Sequence, residues 1–197
     1  MKTAILASLI ATAAAFAPAQ QAARSTTAIN AEIGVTEPVG LFDPLNLLKG
    51  ADEERFNRLR YVELKHGRIC MLGVVGFLVN KAGIYLPGDI DYSGTKFSDL
   101  GSGWAASEAV PVAGALQVLA FVGFLELQVM KDIPGTGNQF PGDFRNGIDP
   151  WGWDSFSEED KIKKRNCELN QGRAAQMGLL GLMVHDQLGV SILPGGV

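Results

Sequence analysis

Clean hydrophobic stretches of membrane-spanning length are missing from this chain, and so is any large excess of one charge. Only 19% of the 197 residues are charged, and the formal net charge is −4. No basic patch carries interleaved aromatics, which excludes a nucleic-acid binder. Histidine and cysteine occur twice each; Cys70 and Cys167 form no CxxC and read as free, helix-borne thiols. Neither GxGxxG nor GxxxxGK occurs, which removes dinucleotide and P-loop phosphate chemistry, and no nucleophile–base pair stands out. No strand-rich region is evident. Yet 47% of residues are hydrophobic and the mean hydropathy is +0.12, apolar for a soluble protein.

What the chain does have is a repeat. Glu63-Leu64-Lys65-His66-Gly67-Arg68 opens an apolar run to Val79, and 105 residues later Glu168-Leu169-Asn170-Gln171-Gly172-Arg173 opens another to Val184. Seven of the eighteen positions from 63 to 80 are identical to their partners, including a Glu, an Arg and three Gly in register. At about 100° per residue, Glu63 and His66 share a helical face, whereas Arg68 is turned about 140° from Glu63. An acid and a base that enter apolar helices need partners, because an unpaired charge there is costly. The repeat supplies them if two helices cross, with Glu63 bound to Arg173 and Glu168 to Arg68. The repeated glycines then let the backbones approach closely.

The repeat extends upstream. Phe42-Asp43-Pro44-Leu45 has its counterpart in Ile148-Asp149-Pro150-Trp151, 106 residues later, so one residue separates the two registers. Each Asp-Pro turn leads to a charged amphipathic segment, Asp52 to Val62 and Ser157 to Cys167, and Ser157 followed by Glu158 and Glu159 marks a helix start. Between the copies a further helical run, Ala105 to Met130, has Pro111 near its start and is closed by Glu126, Gln128, Lys131 and Pro134-Gly135. Helices are thus expected at about 52–81, 105–131 and 157–187. Residues 1–30 differ: one Lys, an apolar run Ala4 to Ala17, then Gln-, Ala-, Ser- and Thr-rich sequence with no acid before Glu32. They read as a bipartite presequence, a secretory signal followed by a transit-like extension, with a three-helix domain at 31–197.

The outer helices carry about 11 clean apolar residues after each Arg, short of the roughly 20 a lone span needs. Crossed, tilted helices that bury their Glu and Arg against each other can extend the span back through the motif. Charge placement agrees with three crossings. Arg55, Arg58, Arg60 and Lys65 precede the first helix, Lys131 ends the second, and Lys161, Lys163, Lys164 and Arg165 precede the third, all on one side. Trp151 and Trp153 fall at that same interface. A central Arg, Lys or Asp costs about 2.5–3.5 kcal/mol, so motif residues must be paired, interfacial or ligand-bound. The expected fold is an all-α membrane protein with three transmembrane helices, the first and third crossed and related by a pseudo-two-fold repeat.

The doubled Glu-x-x-(His/Gln)-x-Arg, the Asp-Pro leaders and the charge pattern resemble the chlorophyll-binding light-harvesting superfamily over roughly 42–187. The presequence, with Ala15-Phe16-Ala17-Pro18, and the short loops look most like its fucoxanthin–chlorophyll a/c branch from diatoms and related algae. The resemblance implies a multi-pass antenna of the plastid thylakoid membrane, without catalysis. It would bind chlorophyll a, chlorophyll c, fucoxanthin and diadinoxanthin, among thylakoid lipids, other antenna subunits and a photosystem core. It also implies Glu63, His66, Glu168 and Gln171 as chlorophyll ligands, with Arg68 and Arg173 as their ionic partners. The chemistry fits: chlorophyll Mg²⁺ keeps an axial site for one oxygen or imidazole donor. A Glu can give one oxygen to Mg²⁺ and the other to Arg. His185, fourteen residues after Gln171, and Glu126, in Gly123-Phe124-Leu125-Glu126, match further ligand positions. Gln117, in an apolar stretch, has either a chlorophyll or a helix–helix hydrogen bond as partner. The resemblance places carotenoids in grooves near the two Asp-Pro turns.

Two other readings compete. A photoprotective, quenching member of the same superfamily would share the helices. Glu63-x-x-His66 also matches di-iron carboxylate bundles, which would make an oxidoreductase. That site wants the motif twice, and the second copy has Gln171 in place of His and leaves both arginines unexplained.

Overall fold

The computed structural model describes residues 33–36, 39–133, 135–149 and 152–191. The presequence, Pro150 and Trp151 lie outside the described residues. Four α-helices occur: α1 (Glu53–Lys81), α2 (Gly103–Ala109), α3 (Val112–Phe124) and α4 (Glu158–Gln187). Among the described residues only isolated bridges, Thr36 with Gly40 and Asp89 with Lys96, interrupt this all-helical pattern. Two compact units are present. One takes the described residues up to Leu59 with Ser157–Cys167, and the other takes Arg60–Phe156 with Glu168 onward.

The first unit holds the starts of both long helices. Asp52 Oδ1 accepts the Arg55 N–H at 2.9 Å, and Ser157 Oγ accepts the Asp160 N–H at 3.2 Å. Each cap satisfies a donor that the first helical turn leaves open. Glu53 and Glu54, and Glu158 to Asp160, then place negative charge at the positive end of each helix dipole. Upstream, Asp43 takes the N–H groups of Leu47 and Leu48 at 3.0 and 2.9 Å.

The second unit holds the crossing. Leu64, Phe77, Leu169 and Leu182 are its buried hydrophobes, 4–8% exposed, and they form two pairs related by the 105-residue repeat. At Gly67 and Gly172 the backbones of α1 and α4 touch: a Cβ on Gly67 would lie 2.9 Å from Gly172 Cα. The close approach belongs to that pair of glycines. Gly73 instead meets the Leu179 side chain, while Gly76, Gly178 and Gly181 have nothing within 4 Å of an added Cβ. Here the expectation that all the repeated glycines serve the crossing is corrected. Helices that diverge from one contact point bring only the residues nearest it together.

Both long helices stop in the same way. Gly83 and Gly189 have φ of +72° and +67°. Ile84 N–H donates to Val79 O and Val190 N–H to His185 O, the paired closure of a left-handed glycine cap. Asp149 repeats the device of Asp43 in this unit, accepting from Trp153 N–H at 2.6 Å and Asp154 N–H at 3.0 Å. Even the left-handed residue recurs, Asn46 at φ 52° and Gly152 at φ 65°. At their far ends α1 and α4 are joined by Lys81 Nζ and Asp186 Oδ1, 2.7 Å apart.

The middle run does not form one helix. Val110 is extended (ψ 126°) before Pro111, separating α2 from α3, because the proline ring disfavours helical geometry in the residue before it. After α3 the chain widens into a π turn, Leu125–Val129, in which Met130 N–H reaches Leu125 O at 2.7 Å. Val112–Val129 is the one segment among the described residues that is long and apolar enough by itself to cross a membrane, and none of it is buried.

Candidate functional site

The repeated motif meets itself across α1 and α4. Arg173 Nε donates to Glu63 Oε1 at 2.7 Å, and Arg68 Nε donates to Glu168 Oε1 at 2.6 Å. All four side chains are partly exposed on a surface otherwise rich in exposed leucine, valine and phenylalanine. Arg60, three residues before Glu63, donates to its Oε2. Sequence reading treated Arg60 only as an interfacial charge, although the three-residue spacing puts the two on one face. Gln176 Nε2 adds a bond to Glu63 O at 3.3 Å.

A loop seals the second pair. Arg68 Nη1 donates to Gly142 O at 2.8 Å, and its guanidinium lies 5.9 Å from the Phe144 ring. Asp143, 3% exposed, is gripped by Arg145 through Nε at 2.9 Å and Nη2 at 2.7 Å. Burial pushes the Asp143 carboxyl upward. The Arg145 guanidinium and the Gln139 and Arg145 N–H groups outweigh that effect and hold it below the usual carboxylate range. Arg145 also stacks over Trp153, 5.6 Å from its centroid. Asn146, with φ 47°, ties Lys131 O and Asn138 into the same loop.

The two histidines are prepared alike. His66 Nδ1–H donates to Val62 O at 2.9 Å, and His185 Nδ1–H donates to Gly181 O at 2.8 Å. A carbonyl has no proton to give, so Nδ1 carries the hydrogen in each ring and Nε2 keeps its lone pair. Fixing the tautomer through the other ring nitrogen is what a metal-binding imidazole requires. His66 is exposed and His185 half-buried. Gln171 and Gln117 are exposed on α4 and α3. Glu126 stands in the π turn, with Lys65 Nζ 2.5 Å from its Oε2.

These donors are dispersed. No group of three or more His, Cys, Asp or Glu among the described residues could hold a metal ion. Single oxygen or imidazole donors suit a metal that arrives with its equatorial positions filled, as the Mg²⁺ of a chlorophyll does. A di-iron centre asks for clustered carboxylates and histidines, and Glu63 already answers to two guanidiniums.

Residues 29–187 match the family model described as chlorophyll A-B binding protein. Fucoxanthin-chlorophyll a-c binding protein F, chloroplastic, from Phaeodactylum tricornutum is 61% identical over 98% of this chain and 100% of its own length. The corresponding protein of Trieres chinensis is 57% identical over 98% of this chain and 97% of its own. Protein B of Macrocystis pyrifera is 53% identical over 80% and 72%. With this breadth of match, and with a doubled acid–base motif at its centre, the chain belongs to the chlorophyll a-b binding protein family, in its fucoxanthin–chlorophyll a-c branch.

Proposed function

We propose that this protein is a light-harvesting antenna that binds chlorophyll a, chlorophyll c and fucoxanthin and passes excitation energy towards photosystems. The observation that carries the reading is the pairing of isolated axial donors with an apolar exterior. Chlorophyll supplies the absorption of light and the excitation that moves between rings; the polypeptide supplies position. Glu63, Glu168 and Glu126 give carboxylate oxygens whose charge is balanced by Arg173 with Arg60, by Arg68, and by Lys65 respectively. His66 and His185 give Nε2, and Gln171 and Gln117 give amide oxygens. Each donor stands on a helix, so its direction is set by backbone and not by a mobile loop.

Three crossings of a thylakoid membrane follow on this reading, by α1, by α3 with its π turn, and by α4. At about 1.5 Å per residue, helices of 29 and 30 residues reach about 44 Å. A tilted path through the roughly 30 Å hydrocarbon core then leaves the capped first turns outside. The flat faces around Gly76 and around Gly178 and Gly181 offer room for extended carotenoids, diadinoxanthin among them. Thylakoid lipids, other antenna subunits and a photosystem core are the partners that this surface fits. The mature chain then starts near residue 31, after a presequence that delivers it to a plastid.

The test is refolding of the chain from residue 31 with chlorophyll a, chlorophyll c and fucoxanthin. A stable complex is expected in which fucoxanthin excitation yields chlorophyll a fluorescence. A colourless, water-soluble polypeptide would overturn the proposal. A fluorescence lifetime short at both neutral and acidic pH would move it to the quenching relatives.

A further inference from the structure

Lys65 stands where the two copies of the motif differ in charge, for its counterpart is the neutral Asn170. Its ammonium reaches the carboxylate of Glu126 and also lies 4.9 Å from the Tyr61 ring centroid, which keeps its long side chain on that course. The middle run gives Glu126 no cation of its own, since no Lys or Arg occurs between Ala105 and Met130. An ionised carboxylate among apolar side chains is tolerated only with a compensating charge. Glu126 also sits in a π turn, an irregularity that concentrates at functional positions because it re-aims side chains.

We propose that Lys65 is the positioning residue of the Glu126 site, resting on the reading of Glu126 as an axial chlorophyll ligand. Lys65 keeps the carboxylate ionised, makes the site neutral overall and engages Oε2, so that Oε1 is presented to the Mg²⁺. An ammonium suits this task because it is a point charge that takes one oxygen, whereas a guanidinium forks across two. The contrast is visible at Glu63, where arginines engage both oxygens. The repeat is broken at this position for a reason. α3 follows only the first copy in the chain, and the only printed partner of its glutamate lies on α1.

The experiment refolds the full mature chain with the three pigments and measures chlorophyll per polypeptide, the absorption difference spectrum and helicity. E126L is expected to lose one chlorophyll, and K65L the same one, with the same difference spectrum. K65R is expected to retain it. E126Q keeps an oxygen donor and removes the charge, so K65L/E126Q is expected to recover the chlorophyll that K65L loses. Retention of the full complement by K65L while E126L loses one would overturn the role of Lys65 and leave the ligand reading intact. Retention by E126L would remove the ligand reading itself. If K65L does not refold, recovery in K65L/E126Q supports the proposal. Failure of that double variant, with E126Q alone fully pigmented, overturns it.

Discussion

The two copies of the motif differ in an orderly way. Positions that shape the backbone recur: the Asp43 and Asp149 turns, the caps at Asp52 and Ser157, Glu63 and Glu168, Leu64 and Leu169, Gly67 and Gly172, and the stops at Gly83 and Gly189. Positions that present chemistry outward do not recur: Lys65 faces Asn170 in the alignment, and His66 faces Gln171. Frame and function are thus divided between residues of one short segment. A pair of helices can be duplicated for its packing while each copy is fitted to a different neighbour.

Removing one arginine breaks the comparison hardest. R68L is expected to leave Glu168 without the guanidinium across the crossing and to release Gly142 O, costing about 3–5 kcal/mol and abolishing pigmented refolding. R173L is expected to be milder, because Glu63 keeps Arg60. Equal pigmented yields from the two variants would show that the copies are energetically equivalent.

Glycines sharpen the contrast within each helix. G67A drives a methyl group into the Gly172 backbone and is expected to cost about 1–3 kcal/mol in thermal unfolding of the refolded complex. G76A meets no protein atom and should leave the polypeptide scaffold intact, with about 0.5–1 kcal/mol gained in helix propensity. A loss of carotenoid in G76A would locate an occupant on that face.

Ligand changes should be smaller in stability and sharper in colour. H66L and Q171L are each expected to lose about one chlorophyll with helicity unchanged. The exchange H66Q/Q171H should keep the number and alter the absorption spectrum. Loss of several chlorophylls from either single variant would mean that the outward positions carry part of the frame.

The smallest effect concerns the loop next to the second copy. The folded-state carboxyl of Asp143 lies below its unfolded value of about 3.9. Its contribution is therefore fully present above that value and lost as pH falls through the lower folded one. Wild type should exceed D143N in thermal stability at pH 7, and the gap should close at pH 3. A gap that persists at pH 3 would assign the effect to shape and not to charge.

The repeat made much of this arrangement legible in one dimension. Identical residues at a fixed offset, an acid and a base in each copy, and a geometry that forbids pairing within one helix leave few alternatives to a crossing. Arg60 and Lys65 were harder. Both looked like interfacial charges, and their partners emerge only when side-chain reach is known. Pro111 announced the break before α3, yet the apolar run around it invited a continuous helix. The glycines misled in the opposite direction: recurrence in sequence marks a constraint but does not say whether the neighbour is protein or something else. Ligand identity was legible as chemistry, because single oxygen and imidazole donors on apolar helices have few other uses.

The contact between Gly67 and Gly172 has one last implication. Two polypeptide rods with bare backbones against each other form the thinnest partition that helical protein can make. Whatever binds on opposite flanks of that partition is held as near as a folded chain permits, and each added methyl would push the flanks apart. Hopping of an excited state weakens steeply with separation, so the missing side chains set the pace of the whole device.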